Sequence, residues 1–288
     1  MILVTGATGH LGAATVDFLL KTIPASQIAV LARDENKATP LKAKGVEVRI
    51  GDYKNYESLV ATFKGADKVL LISSADMDDR FKQHKKAIDA AKEVGVKHLI
   101  YTGSDIKDIT KSFTGEIADV HNNTSQYLKE SGLTYTLLNN NLYADVIPTF
   151  IGEKVLETGV YFPGGEGKVP FATRSDMAEA AAHVLATDGH DNKEYAIAGD
   201  VAYSFGDITQ LLSKISGKEI TYTSPSTDEF KQALTAAGVP EFYVGMLADF
   251  AQAIKDTEFD TQNSDLEKLI GRKPTPLKEY LRGVYSAQ

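Results

Sequence analysis

The residues best suited to hold a phosphorylated ligand come at the start of the chain. Gly6, Gly9 and Gly12 recur at every third position in TGATGHLG, Thr5 to Gly12. The first turn of a helix has free backbone N–H groups and a partial positive charge, and glycine lets a pyrophosphate approach that backbone closely. Gly6, Ala7, Thr8, Gly9, His10, Leu11 and Gly12 are therefore the candidate diphosphate cradle. The spacing is G-x-x-G-x-x-G rather than G-x-G-x-x-G, and the competing reading is a tight strand-to-helix turn without a ligand. A second signal follows the run Gln27 to Leu31, which ends in Ala32-Arg33-Asp34. An arginine here meets the 2′-phosphate of NADP(H), so NADP(H) is preferred. Two alternatives stay open: Asp34 takes the ribose of NAD(H), or Arg33 is simply solvated.

Further candidates stand at the ends of other apolar runs. Asp52 and Tyr53 close Val46 to Ile50, placed either to bind and flank an adenine or, for Asp52, to cap a short helix. Ser73, Ser74 and Ala75 follow Val69 to Ile72 and are small enough for a cofactor to lie across them, although serines also simply end strands. Thr102 and Gly103 close His98 to Thr102. Asn139, Asn140, Asn141, Leu142 and Tyr143 follow Tyr135 to Leu138; their amides suit a carboxamide and Tyr143 suits a planar ring, or else lines an ordinary core.

Positioning these residues at one edge requires parallel strands alternating with helices. The patterns supply this: five strand-like runs alternate with helical ones over the first hundred or so residues, which predicts a Rossmann-type doubly wound sheet. Lys193 to Ala198 reads as the last strand of that sheet. The expected division is a nucleotide-binding part over residues 1–146, completed by about 169–198, and a smaller α/β substrate lobe from 147–168 and 199–288. In that lobe Phe230, Phe242, Tyr243, Met246 and Phe250 are candidate walls, and the aromatics of YFPGGEG, Tyr161 to Gly167, a candidate rim. The net charge of −8 and the lack of any basic run argue against nucleic acid or an anionic membrane as partner. The chain has no cysteine, hence no disulfide, thiol nucleophile or thiolate metal site, and no metal is expected. With Met1 followed at once by a strand and no long apolar run, a cytoplasmic protein is expected, with homodimerisation left open.

TGATGHLG at Thr5 to Gly12, LARDENKA at Leu31 to Ala38, GVEVRIGDY at Gly45 to Tyr53, GVKHLIYTG at Gly95 to Gly103 and SGLTYTLLNNNLY at Ser131 to Tyr143 carry a family resemblance. The chain resembles the NmrA-like, atypical short-chain dehydrogenase/reductase family, and within it the quinone-reductase and triphenylmethane-reductase branch. The similarity extends through VPFATRSDMAEAA at Val169 to Ala182 and LIGRKPTPLKEYL at Leu269 to Leu281. It implies NADPH and hydride transfer to a flat, electron-poor acceptor such as a quinone. It also implies that the loop from Asn139 lies beside the nicotinamide, that Arg174 faces the cofactor cleft, and that His121 stands where that branch carries a histidine. Read from the residues, His121 is structural, or hydrogen-bonds the nicotinamide ribose or carboxamide, or supplies a proton near neutral pH, and Arg174 alternatively pairs with Asp176. The chain departs from short-chain dehydrogenases generally, because no tyrosine has a lysine four residues on; Tyr127 is followed by Ser131. Carbonyl and epimerase chemistry thereby lose their acid/base, whereas quinone reduction does not need one. The rival readings are a non-catalytic NADP(H)-sensing regulator and, less favoured, a nucleotide-sugar epimerase.

Overall fold

Ile2-Leu3-Val4 has no polar residue, and such a run belongs at the centre of a sheet covered on both faces. The computed structural model, which describes residues 1–74, 76, 78–261 and 263–286, places it there. Strand β1 (Ile2–Val4) pairs in parallel with β2 (Ile28–Ala32) and with β4 (Lys68–Leu71). With β3 (Glu47–Ile50), β5 (His98–Ser104), β6 (Thr134–Asn140) and β8 (Lys193–Ile197) these form a seven-stranded sheet in the order β3-β2-β1-β4-β5-β6-β8. The order reverses beside β1, where doubly wound folds bind ligands.

Because successive side chains leave opposite faces of a strand, the sheet has two cores. Ile2, Val4, Val30, Leu70 and Ile100 pack with helices His10–Leu19 and Arg174–Ala186. Leu3, Leu31, Val69, Leu99 and Tyr101 pack on the other face with helices Tyr56–Phe63, Arg80–Glu93 and Glu116–Glu130. A third core, rich in phenylalanine, joins helices Phe205–Ser216, Glu241–Lys255 and Leu277–Tyr285 to a two-stranded parallel sheet of β7 (Val160–Tyr161) and β9 (Tyr222–Thr223). Phe162 and Phe205 stand 4.2 Å apart at its centre. Phe162 is thus core and Tyr161 packs on the buried Phe230, so the expected aromatic rim and the Phe230 wall do not form at the cleft.

Several boundaries differ from the sequence reading. The sixth strand runs on through Asn140, so Asn139 and Asn140 are strand residues paired with Gly103 and Ser104, not loop. The helix at Arg174 is capped by Thr173, whose Oγ1 accepts from Asp176 N–H. Asp176 is fully buried, and its carboxylate accepts from Arg272 Nη2 at 2.6 Å, Thr275 N–H at 2.7 Å and Thr275 Oγ1 at 3.0 Å. Three donors are what a buried charge requires, and they strap the C-terminal segment to this helix. No described helix is long and apolar enough to cross a membrane.

Candidate functional site

The glycine turn follows directly from β1. Gly6 sits at φ +59°, the left-handed region that favours glycine, and its carbonyl accepts from Gly9 N–H at 3.0 Å. Gly9 is the N-cap of the first helix, which begins at His10. A Cβ on Gly12 would lie 2.4 Å from Gly6 O and 2.7 Å from Ala7 Cα, so Gly12 is what lets the helix press on the turn. Ala7, Leu11 and Gly12 are buried packing residues, whereas Gly6, Thr8, Gly9 and His10 are exposed.

Two cavities lie along the carboxyl ends of the strands. The first, about 600 Å³, is bounded by Gly6, Thr8 and Gly9, by Leu31 to Asp34 with Lys37, by Asp52 and Tyr53, and by Ile72, Ser73, Ser74 and Gln83. The second, about 270 Å³, is bounded by the same Ile72, Ser73 and Ser74, by Thr102 to Ser104, by Arg80 and His121, and by Asn140 to Tyr143. Sharing one wall, they make a single cleft that crosses the switch point of the sheet. Ala7, His10, Leu11, Gly12, Asn139 and Arg174 do not line it. Ala75 lies outside the described residues.

At the far end of the first cavity Arg33 and Lys37 are both exposed, and Arg33 makes no ion pair among the described residues. Asp34 Oδ1 accepts from Asn36 N–H at 2.8 Å, closing a turn that leaves Arg33 at the mouth. Asp52 accepts from Lys54 N–H at 2.9 Å; the following helix is capped by Asn55 instead. Tyr53 is buried beneath the cleft, its hydroxyl donating to Thr5 Oγ1 and lying 3.0 Å from Ile72 O.

In the second cavity, Tyr101 hydroxyl and His121 Nδ1 are 2.9 Å apart. Burial, reinforced by the Arg80 charge, lowers the His121 pKa to about 3. The ring is therefore neutral at physiological pH, and it offers a hydrogen-bonding nitrogen rather than a proton. Burial raises the Tyr143 phenol pKa, so it stays protonated, and the Arg174 guanidinium sits 4.8 Å over its ring. Arg174 pairs with Asp145 at 3.6 Å, not with Asp176. Asn141 is committed elsewhere: its Nδ2 lies 2.9 Å from Phe259 O, 3.0 Å from Asp105 Oδ2 and 3.1 Å from Thr261 Oγ1. Tyr127 hydroxyl donates to Asp89 at 2.6 Å, and neither it nor Asn122 nor Asn123 lines the cleft.

Sequence reasoning missed Arg80, Gln83 and His84, together with Lys37. The helix Arg80–Glu93 buries Arg80, Gln83, His84, Ala87 and Ile88, an unbroken helical stripe that is polar in its first turns. Ala87 and Ile88 mark the buried face, and continuing it one turn toward the N-terminus reaches all three polar residues.

A glycine turn at the first strand, with a cleft across the switch point of a doubly wound sheet, defines the nucleotide-binding class of α/β proteins. The chain belongs to the NmrA-like family, whose model matches residues 1–281. It is 39% identical to quinone oxidoreductase 2 of Escherichia coli K12 over 99% of both chains. It is 31% identical to the NAD(P)H azoreductase of Xenophilus azovorans, over 84% of this chain and 82% of that one. The crystal structure of Citrobacter sp. triphenylmethane reductase complexed with NADP(H) superposes with a TM-score of 0.92 at 38% identity, covering 99% of this chain and all of the other.

Proposed function

We propose that this protein is an NADPH-dependent oxidoreductase that delivers hydride to a quinone-like planar acceptor. The observation that carries the reading is the continuity of the cleft, from the cations Arg33 and Lys37, past the glycine turn, to the wall formed by His121, Asn140 and Tyr143. The residues fit a dinucleotide: the turn is glycine where φ is positive, and the cleft has the Arg33 guanidinium at one end and His121, Asn140 and Tyr143 with the Arg80 guanidinium at the other. The relatives are a quinone oxidoreductase, an azoreductase and a reductase complexed with NADP(H). The sensing-regulator reading is accordingly not favoured.

When bound, the nicotinamide supplies the hydride. Gly6, Thr8 and Gly9 hold the diphosphate, and Arg33 with Lys37 meets the 2′-phosphate. Ser73, Ser74, Thr102 and Gly103 give the cofactor a narrow floor, with Asn140 beside the carboxamide. Neutral His121 orients by hydrogen bonding, and Tyr143, held by Arg174, faces the acceptor. With the Tyr127 hydroxyl donating to Asp89 away from the cleft, the single proton that reduction needs beside the hydride comes from water. On this reading residues 1–146 and 169–198, with the helix Leu266–Ile270 that packs on them, serve the cofactor, and 147–168 with most of 199–286 serve the acceptor.

NADPH consumption with a panel of neutral quinones tests the activity; rates equal to the uncatalysed reaction would reject it. Arg33→Ala should weaken NADPH binding by roughly 1.5–3 kcal/mol, the range for a lost charge-assisted bond, and leave NADH unchanged. Equal losses for both cofactors would place the 2′-phosphate elsewhere.

The acceptor enters by a groove of about 440 Å³ that shares Thr114, Ile117 and Phe250 with the second cavity and is walled by Phe242 and Met246. Every charged residue lining it, Glu116, Glu241 and Asp249, is acidic. A sulfonated naphthoquinone should therefore be used about fivefold less efficiently than the neutral ring at low salt, with the gap closing as ionic strength rises. A salt-independent ratio would discount the carboxylates.

A further inference from the structure

The segment shared by the two cavities is held unusually completely. Its three consecutive N–H groups are each taken by a side chain: Ile72 by Thr5 Oγ1 at 3.0 Å, Ser73 by Thr102 Oγ1 at 2.9 Å, and Ser74 by His84 Nε2 at 3.1 Å. Thr5 and Thr102 belong to the sheet edge. His84 reaches in from a flanking helix, and the proposed reaction gives it no task.

The ring of His84 is fully buried, and both nitrogens are engaged. Thr124 hydroxyl donates to Val120 O at 2.7 Å, so its oxygen, 2.9 Å from His84 Nδ1, is left to accept. The proton therefore sits on Nδ1, and the Nε2 lone pair faces Ser74 N–H. Tyr53 and Tyr101 meet the ring edge-on, with centroids 6.4 and 5.5 Å away. These are the tyrosines whose hydroxyls reach Ile72 O and His121 Nδ1. Thr124 lies on the helix of His121, one turn further along.

We propose that His84 is a positioning residue of the cofactor cleft: by joining Ser74 N–H to Thr124, it fixes the 72–74 segment against the helix that presents His121. The proposal rests on the cleft being the NADPH site. A shift of this segment moves one wall of both cavities at once, so cofactor affinity and hydride transfer must respond together. A histidine that merely filled space would affect stability alone.

His84→Phe keeps the ring and its edge contacts but has no acceptor for Ser74 N–H. The expected results are a rise of about tenfold in KM for NADPH, a similar fall in the single-turnover rate with a neutral quinone, and faster amide exchange at Ser74. His84→Gln, whose amide oxygen can accept from Ser74, should bring KM back to within about threefold of the parent. A folded His84→Phe protein with unchanged KM and single-turnover rate would overturn the proposal, as would a glutamine variant no better than phenylalanine. If His84→Phe does not fold, Thr124→Val, which removes the partner of Nδ1, should raise KM about threefold, and an unchanged KM would again overturn it. NADPH binding to the parent protein separates the two readings: absence of binding refutes the cofactor site, whereas normal binding with indifferent variants refutes only the role of His84.

Discussion

The Gly12→Ala variant is expected to bind NADPH about a hundredfold more weakly and to be about 3 kcal/mol less stable than the parent, the upper part of the range for overpacking. The added methyl would meet Gly6 O and Ala7 Cα, both backbone atoms of the turn, at distances no Cβ adopts. Relief requires the helix and turn to separate, and that separation removes the surface proposed to hold the diphosphate. Denaturant melts and calorimetric titration check both parts. Gly283, where a Cβ would meet nothing within 4 Å, supplies the control. Near-parental affinity in Gly12→Ala would mean that the cradle does not depend on this contact.

Acid should destabilise the protein well before its carboxylates protonate. Burial, with the charges of His121 and Arg80 adding to it, lowers the His84 pKa to about 3, the same value as for His121. His98 and His190 are shifted in the same direction, burial again leading. A histidine lowered on folding takes up its proton in the unfolded chain first. Unfolding is therefore favoured as pH falls from about 6.5 toward 3, while above pH 7 the penalty vanishes. Between pH 7 and pH 5 each of His84 and His121 should contribute about 2 kcal/mol of lost stability. Urea midpoints at the two pH values measure this, and His84→Gln should reduce the difference. A flat profile would mean that these rings are charged in the folded state.

The architecture was legible because its signals are local. An all-apolar strand, a glycine turn and repeated strand–helix alternation each constrain neighbouring residues, and they led to the observed sheet. Arg33 was legible because its place at the end of the second strand follows from the same count. What could not be read was which polar side chains turn inward. Asn139, Asn140 and Asn141 look alike in sequence, yet the strand continues through the first two, and the third spends its amide on Phe259 and Thr261, more than a hundred residues away. Asp176 read as a local partner for Arg174, but its partners Arg272 and Thr275 arrive from the far end of the chain. Arg80, Gln83 and His84 stand among charged residues such as the exposed Lys82, and composition alone does not separate the buried from the solvated ones.

The crosslink made by Asn141 has a mechanical consequence. It ties the end of the sixth strand to residues 259–261 beside the second cavity, so that strand end and that segment move only together while the bonds hold. Parting these two segments would break the Asn141 bonds, whereas the groove past the exposed Phe242 lies open without any such rupture.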